Sequence, residues 1–178
     1  MMLRLTMLAI TMAALSLLPG CIELAQGYQA GRNDFMQGYQ TGIGFAGGGT
    51  AASVDDGSLN LYDSSGHAAI YVATDDDLTI YLWSGKPCAY VAGKDIFGFN
   101  GKHLGWLHGG VMYDHEGRVV AAPPKTFVGV VALAPIKAIR QLKPLQSFRQ
   151  FSPFEPFLQT TTWSPISAQA FVLDGVGY

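Results

Sequence analysis

Charged residues are scarce in this chain. Only 13% of its 178 residues are charged, and the formal net charge is −2. Without a strong basic balance, the main electrostatic argument for a dedicated nucleic-acid-binding protein is missing. The chain also lacks a Ser/His/Asp order, a phosphate-binding loop and a Cys-x-x-Cys pair. These absences predict a protein that is not an enzyme, carries no cofactor and binds no nucleic acid.

The chain begins with an apolar run at residues 5–18. This run is shorter than a typical membrane span and is typical of a signal peptide, here expected over residues 1–20. The residues that follow resemble a bacterial lipobox, with Leu18 at −3, Gly20 at −1 and Cys21 at +1. The resemblance implies that Cys21 is acylated and anchors the protein, since each buried methylene adds roughly 0.8 kcal/mol. The alternative is an ordinary signal peptide in which Cys21 is incidental.

The residue after Cys21 bears on location. Ile22, where an aspartate would redirect the protein, fits outer-membrane sorting by resemblance to known lipoproteins. We therefore expect a lipid-anchored envelope protein on the outer membrane, facing the periplasm. If Cys21 carries lipid, Cys88 has no partner for an internal disulfide, and the fold depends on packing.

Residues 21–58 are expected to form a glycine-rich leader and linker. Two related hexapeptides, QGYQAG at 26–31 and QGYQTG at 37–42, lie 11 residues apart. On a helix both copies would share one face, and their Gly-x-x-x-Gly spacing would allow close approach of a second surface. A flexible stalk explains the same composition. The sequence leaves both possibilities open.

Residues 59–123 contain an internal repeat of four units, aligned on Gly66, Gly85, Gly101 and Gly117. Each glycine can supply the positive φ of a tight turn, and the short aromatic and β-branched flanks predict strands. Stacked hairpins bury their faces against one another, and a closed set leaves no long edge. This predicts an all-β fold, a pseudo-fourfold assembly of four repeated β-hairpins. The aromatic columns are Tyr62, Tyr81, Phe97 and Tyr113 before the glycines, and Tyr71, Tyr90 and Trp106 after them, with Ala122 in the fourth unit.

Three phrases of the sequence support a family assignment: FNGKHLGW at 99–106, YDHEGRVV at 113–120 and WSPISAQAFV at 163–172. With them, the chain resembles the bacterial 4-fold beta flower domain, in which four short β-hairpins are arranged as petals. The resemblance implies the fold and brings no catalytic residues. The first unit departs from the repeat by an Asp75-Asp76-Asp77 insertion, which we interpret as a solvated loop.

Residues 124–178 are predicted to form an apolar strand, at 126–135, and then an extended tail. Apolar residues recur in that tail at a strict period of three. Polyproline II has three residues per turn and would line them along one edge, whereas 3₁₀ turns are the alternative. Large apolar groups need cover, so the tail either wraps its own domain or docks on an envelope protein partner. The eight residues are Ile136, Ile139, Leu142, Leu145, Phe148, Phe151, Phe154 and Phe157.

The residue after each turn glycine is basic or is a histidine. Four such side chains around a pseudo-symmetric domain would form a ring able to hold an anion such as a phosphate or carboxylate. Four solvated turn residues are the favoured interpretation. The aromatic columns could stack on sugar rings but are predicted to be core, with Trp83 and Trp106 as the first candidates for an exposed, sugar-stacking position. The ring residues are His67, Lys86, Lys102 and Arg118.

The remaining candidates are interpreted structurally. His103, His108 and His115, with Asp114, match no zinc spacing, so we interpret these histidines as polar turn residues and expect no metal. Cys88 falls in an apolar column of the repeat and is predicted to be a small buried hydrophobe. The sequence predicts a membrane-anchored, non-enzymatic interaction or structural module of the envelope. Anion or glycan binding is the alternative function.

Overall fold

The computed structural model describes residues 57–124 and 126–176. Within these ranges, eight short strands form one sheet, in which each strand pairs antiparallel with its neighbours in sequence. The predicted signal peptide, Cys21 and the leader through residue 56 lie outside the described residues. The elements are β1 (Leu59–Tyr62), β2 (Ala68–Val72), β3 (Thr79–Leu82), β4 (Pro87–Ala92), β5 (Asp95–Gly98), β6 (His103–His108), β7 (Val111–Tyr113), β8 (Val119–Ala121) and the helix α1 (Ala168–Leu173).

The four predicted turn glycines lie at the tips of four hairpins, β1–β2, β3–β4, β5–β6 and β7–β8. All four have positive φ, from +72° at Gly117 to +83° at Gly101. Each glycine N–H donates to the carbonyl of the residue three positions earlier, as Gly66 does to Asp63 at 3.0 Å. A register shift accompanies every tip, as expected where a turn glycine forms a bulge. The four-hairpin prediction is confirmed.

The two aromatic columns meet where adjacent hairpins join. Tyr71 lies opposite Tyr81 across β2 and β3, and Tyr90 lies opposite Phe97 across β4 and β5. The rings of Tyr71 and Tyr81 stack, with centroids 5.4 Å apart. Cross-strand aromatic pairs of this kind stabilise neighbouring strands. Each pair joins one repeat unit to the next, and the side chains of both columns are buried. The columns are therefore core, as predicted.

The sheet closes by a short bridge between its first and last strands. Tyr62 and Ala122 exchange two backbone hydrogen bonds, of 2.8 and 3.0 Å. Closure removes the exposed edges that an open sheet would present. Ala122 is the position where the fourth unit lacks its aromatic residue. Phe127 and Val128, from the chain that follows, pack in the cluster there and fill the space.

The inner core lies on the other face of the strands and includes Cys88, Ile96 and Met112. Cys88 is fully buried, as predicted, and burial raises the pKa of its thiol to about 11. Helix α1 packs Phe171 and Val172 into the same core. We call β1–β8 together with this core the hairpin ring.

Two predictions for the tail were wrong. Residues 126–135 form no strand, only an isolated bridge between Pro124 and Val128, because the sheet has closed on itself and offers them no edge. The extended tail also ends in helix α1, which begins where Ser167 Oγ accepts a hydrogen bond from Ala170 N at 3.2 Å. Between these parts, residues 131–156 contain neither helix nor strand, so the extended tail is confirmed there and 3₁₀ turns are excluded.

Gly85 serves as a test of this architecture. Its φ is +79°, and a Cβ at this position would lie 2.1 Å from the carbonyl oxygen of Ile139. We expect Gly85→Ala to lower the free energy of unfolding in urea by at least about 3 kcal/mol, since strain and a backbone clash add. Gly109 is the matched control, with φ +55° and open space, where alanine should cost about 1–2 kcal/mol. Equal losses at the two positions would contradict the close approach of the tail.

Candidate functional site

The tail passes over the tips of all four hairpins. Backbone N–H groups of the tail donate to the carbonyl oxygens of all four turn glycines, at 2.8–2.9 Å. The donors are spaced nine, nine and ten residues apart, so one tail segment serves each hairpin. We call residues 130–160 the strap. The donors are Ala132 to Gly66, Gln141 to Gly85, Gln150 to Gly101 and Thr160 to Gly117.

The turn glycines have a second role in this contact. A Cβ at Gly101 would lie 2.0 Å from the carbonyl oxygen of Phe148, and one at Gly66 would lie 2.3 Å from that of Val130. Real Cβ atoms do not approach a backbone oxygen this closely. Glycine therefore supplies both the turn geometry and the room for the strap backbone.

A nine-residue segment contains three periods of three, so the strap presents the same faces to successive hairpins. The charged residues directly after the apolar positions direct their side chains at the hairpin ring. Arg149 Nε donates to Tyr90 Oη at 3.0 Å, and its guanidinium lies 5.1 Å from the centre of the Tyr90 ring. Arg140 lies 5.5 Å from the rings of both Tyr71 and Tyr81. Cation–π contacts of this kind contribute about 0.5–2 kcal/mol each.

Two further strap residues form ion pairs with the loops between hairpins. Lys143 Nζ lies 2.7 Å from Asp77 and 3.5 Å from Asp75, and the hydrogen bond with Asp77 raises the lysine pKa. Asp75 and Asp77, which belong to the insertion interpreted as a solvated loop, therefore bind the strap through Lys143. Glu155 is bound by both Lys94 and His108. Burial opposes ionisation of Glu155, but the hydrogen bonds from Lys94 and His108 outweigh it and lower the pKa of that carboxyl.

The third face of the strap carries large apolar side chains that contact water. Each of them is at least 78% exposed, and the four phenylalanines are fully exposed. Four phenylalanines with about 150 Å² each already reach about 600 Å², the upper limit for the largest apolar patch on a typical monomer, and the aliphatic side chains of the strap add to this area. We call this set the apolar ridge. It comprises Val130, Leu133, Ile136, Ile139, Leu142, Leu145, Phe148, Phe151, Phe154 and Phe157.

Sequence reasoning missed two members of the ridge, Val130 and Leu133. The period of three extends back to both, but residues 126–135 were taken for a strand, in which alternate side chains would be buried. The strap makes its first contact with a hairpin tip at Ala132, and the side chains of Val130 and Leu133 on either side of it are exposed. Both residues therefore belong to the ridge.

The four predicted ring cations lie at four separate hairpin tips. Lys102 Nζ forms an ion pair with Asp174, and Arg118 pairs with Asp114 at 2.8 Å and with Glu116 at 3.0 Å. His67 has its side chain 71% exposed beside Asp63, and Lys86 is partly buried. Two of the four cations thus already have carboxylate partners, which does not favour a ring that holds an anion.

The two tryptophans expected at the surface do not offer open faces. Trp106 is only 2% exposed, so its prediction as a sugar-stacking residue was wrong. Its ring, that of His103 and that of His115 all contact one another, with centroids 5.0–5.5 Å apart. Trp83 is partly exposed, but its indole N–H donates to the carbonyl of Pro135 in the strap at 2.7 Å.

The histidines form a hydrogen-bonded chain that the sequence did not reveal. His103 is buried, with Nε2 3.0 Å from Asp95 Oδ1 and Nδ1 3.0 Å from His115 Nε2. The interpretation of His103 as a polar turn residue was therefore wrong, because His103 lies on β6 and its side chain is buried in the aromatic cluster around Trp106. His115 reaches the surface, where partial burial and the neighbouring His103 lower its pKa. Over residues 57–124 and 126–176, no three His, Cys, Asp or Glu side chains come together as a metal site.

The lowered pKa of His115 predicts a pH dependence of stability. The unfolded chain takes up a proton near the ordinary value of 6.5, before the folded protein does, so the free energy of unfolding falls as the pH drops below about 6.5. We expect His115→Gln to flatten this part of the profile, measured by urea unfolding at stepwise lower pH. His67→Gln, at an exposed tip, is the matched control. An unchanged slope in His115→Gln would contradict the assignment.

Comparison with known proteins bears on the whole of this arrangement. Among the described residues, no helix has the length and apolar character needed to cross a membrane. No curated protein and no solved structure matches the chain. A family described as 4-fold beta flower protein matches residues 59–172, which extend beyond the predicted 59–123 hairpin domain to include the strap and most of α1. The chain belongs to the 4-fold beta flower protein family.

Proposed function

We propose that this protein is a non-enzymatic interaction module of the cell envelope, and that the apolar ridge is its contact surface. The observation that carries the proposal is that ten large apolar side chains, each at least 78% exposed, lie on a strap held in place along its length. Large contiguous apolar surfaces on soluble proteins mark sites of interaction.

The exposure of the ridge follows from how the strap is held. Backbone hydrogen bonds to the hairpin tips orient one face of the strap, and side-chain contacts such as that of Arg149 with Tyr90 orient the second face. The third face, which carries the apolar ridge, must then point away from the hairpin ring. The ring has no vacant apolar face to receive it, because its aromatic clusters already pack with each other and with the basic side chains. Within residues 57–124 and 126–176 nothing covers the ridge, which supports a partner in the envelope.

The proposed anchor is Cys21, acylated at the lipobox-like sequence LPGC and held in the outer membrane facing the periplasm. Between Cys21 and the first described residue, Gly57, lie 35 residues rich in glycine. This tether would keep the ridge within reach of partners at the membrane, such as an envelope protein.

The contact surface is tested by photo-crosslinking in cells. A photoreactive phenylalanine analogue at Phe151 should give a crosslinked product, because this side chain lies in the ridge and is fully exposed. The same analogue at Asp76, in an exposed loop off the ridge, is the control. Crosslinks from Asp76 but not from Phe151 would refute the ridge as the contact surface.

The anchor is tested by metabolic labelling with an alkyne-bearing fatty acid. The full chain should incorporate label, and Cys21→Ser should lose it. Cys88→Ser controls for the second cysteine and should keep the label, since the Cys88 thiol is buried in the inner core. Label that survives Cys21→Ser would exclude the proposed lipidation.

A further inference from the structure

We propose that this protein associates with a second copy of itself through the last four residues of the apolar ridge, which are all phenylalanines. This inference rests on the proposed function and names the partner as another copy of the chain. The six ridge residues before them are all aliphatic, so the phenylalanines are a distinct part of the ridge. We call Phe148, Phe151, Phe154 and Phe157 the phenylalanine row.

The row lies in one interval of the strap, between the tips of the third and fourth hairpins. Near its two ends, strap N–H groups donate to the carbonyls of Gly101 and Gly117, both at 2.8 Å. Between these bonds, Glu155 is bound by Lys94 and His108. The row is therefore held in place before a partner arrives, which lowers the entropy cost of association. Because it lies between two neighbouring tips, a partner engages one side of the hairpin ring and not its whole rim.

The surface that the row presents carries no charge. Residues 148–157 include two charged side chains, and both are turned toward the hairpin ring. Arg149 Nε donates to Tyr90 Oη at 3.0 Å, and Glu155 pairs with Lys94 and His108. Two copies can therefore bring their rows together without opposing like charges. Aromatic side chains without charged neighbours are typical of the centre of a protein–protein interface.

The spacing of the row is complementary to itself. The strap is extended over residues 131–156. At about 3.1 Å per residue, phenylalanines three positions apart there are roughly 9.3 Å apart along the chain. A ring inserted midway between two of them would lie about 4.6 Å from each, and aromatic rings favour centroid distances of about 4.5–7 Å. A second row of the same period supplies a ring for each gap, whereas an unrelated partner would need apolar groups at the same spacing.

Two such rows fit together when they run antiparallel. A two-fold axis perpendicular to the strap relates them and allows an offset of half a period, so that each row fills the gaps of the other. Both copies then use the same surface, as in the closed interfaces of most homodimers. Because this interface is closed, association ends at two copies and does not continue into a filament.

The area of the row is sufficient for a specific dimer. Its four side chains are fully exposed and offer about 150 Å² each, which is about 600 Å² per copy. Two copies together would bury about 1,200 Å², the lower end of the range for specific protein–protein interfaces. Leu145 and Leu158, which are 95% and 79% exposed, flank the row and add to this area.

The experiment uses two copies of the full chain that carry different epitope tags and are expressed together in cells. One copy has a photoreactive phenylalanine analogue at Phe151. Irradiation should give a product of twice the chain mass that contains both tags, because the analogue lies between two rings of the second row. The same analogue at Ile166, which is 46% exposed and lies outside the strap, is the control and should give no such product.

A substitution in the second copy tests the other side of the contact. Phe151→Ser with Phe154→Ser in the copy without the analogue should lower the yield of the two-tag product at least about tenfold, through the loss of two buried rings. Both side chains are fully exposed, so thermal unfolding of this variant should match the parent. Ile166→Ser with Leu173→Ser, at positions 46% and 40% exposed and off the ridge, is the matched control and should leave the yield unchanged.

Three results would overturn the dimer: no product with both tags, an equal yield with the Phe151→Ser and Phe154→Ser variant, or an equal yield from the analogue at Ile166. A crosslink from Phe151 to a different protein, without the two-tag product, would keep the proposed function and replace the second copy by that protein. The absence of any protein crosslink from Phe151 would overturn both proposals.

Discussion

The contact between the strap backbone and the four turn glycines is the constraint on which the rest of this structure depends. A hairpin needs a residue with positive φ at each tip, and glycine meets that need at the lowest cost. The same missing Cβ opens a path for a second segment of backbone, which comes so close to Gly85 and Gly101 that any side chain would collide with it. Glycine thus both forms the turn and leaves room for the strap backbone to bind there.

The spacing of the strap converts this contact into a surface. Along the strap, the residue that contacts Gly66 and the one that contacts Gly85 are nine positions apart, and so are those that contact Gly85 and Gly101. Nine is a multiple of three. The charged side chains one position after ridge residues therefore reach the aromatic junctions or the loops of the hairpin ring, as Arg149 and Lys143 do. The ridge is the face left over. Its exposure is a geometric consequence of how the other two faces are used.

Much of the fold was predictable because it is local and repeated. Turn glycines, their flanking strands and the aromatic columns recur four times, so each unit supports the assignment of the others. The ridge was predictable in part, since its period of three is visible from Ile136 to Phe157. Its first members were hidden because an apolar run such as residues 126–135 suits a strand equally well, and only closure of the sheet at Tyr62 and Ala122 removes that option. Helix α1 is short, and its core contacts with distant strands leave no periodic signal.

The sequence by itself determined the four hairpins and the three-residue period of the tail, because these depend on neighbouring residues and regular spacing. The tertiary structure decided which side of the tail faces inward, since that follows from backbone bonds between segments more than 50 residues apart, such as Gln141 to Gly85. It also decided that Trp106 is buried and that Asp95, His103 and His115 form one chain. Asp95 and His103 lie on β5 and β6 and His115 lies in the turn after β7, and only the register of the closed sheet brings them within hydrogen-bonding distance.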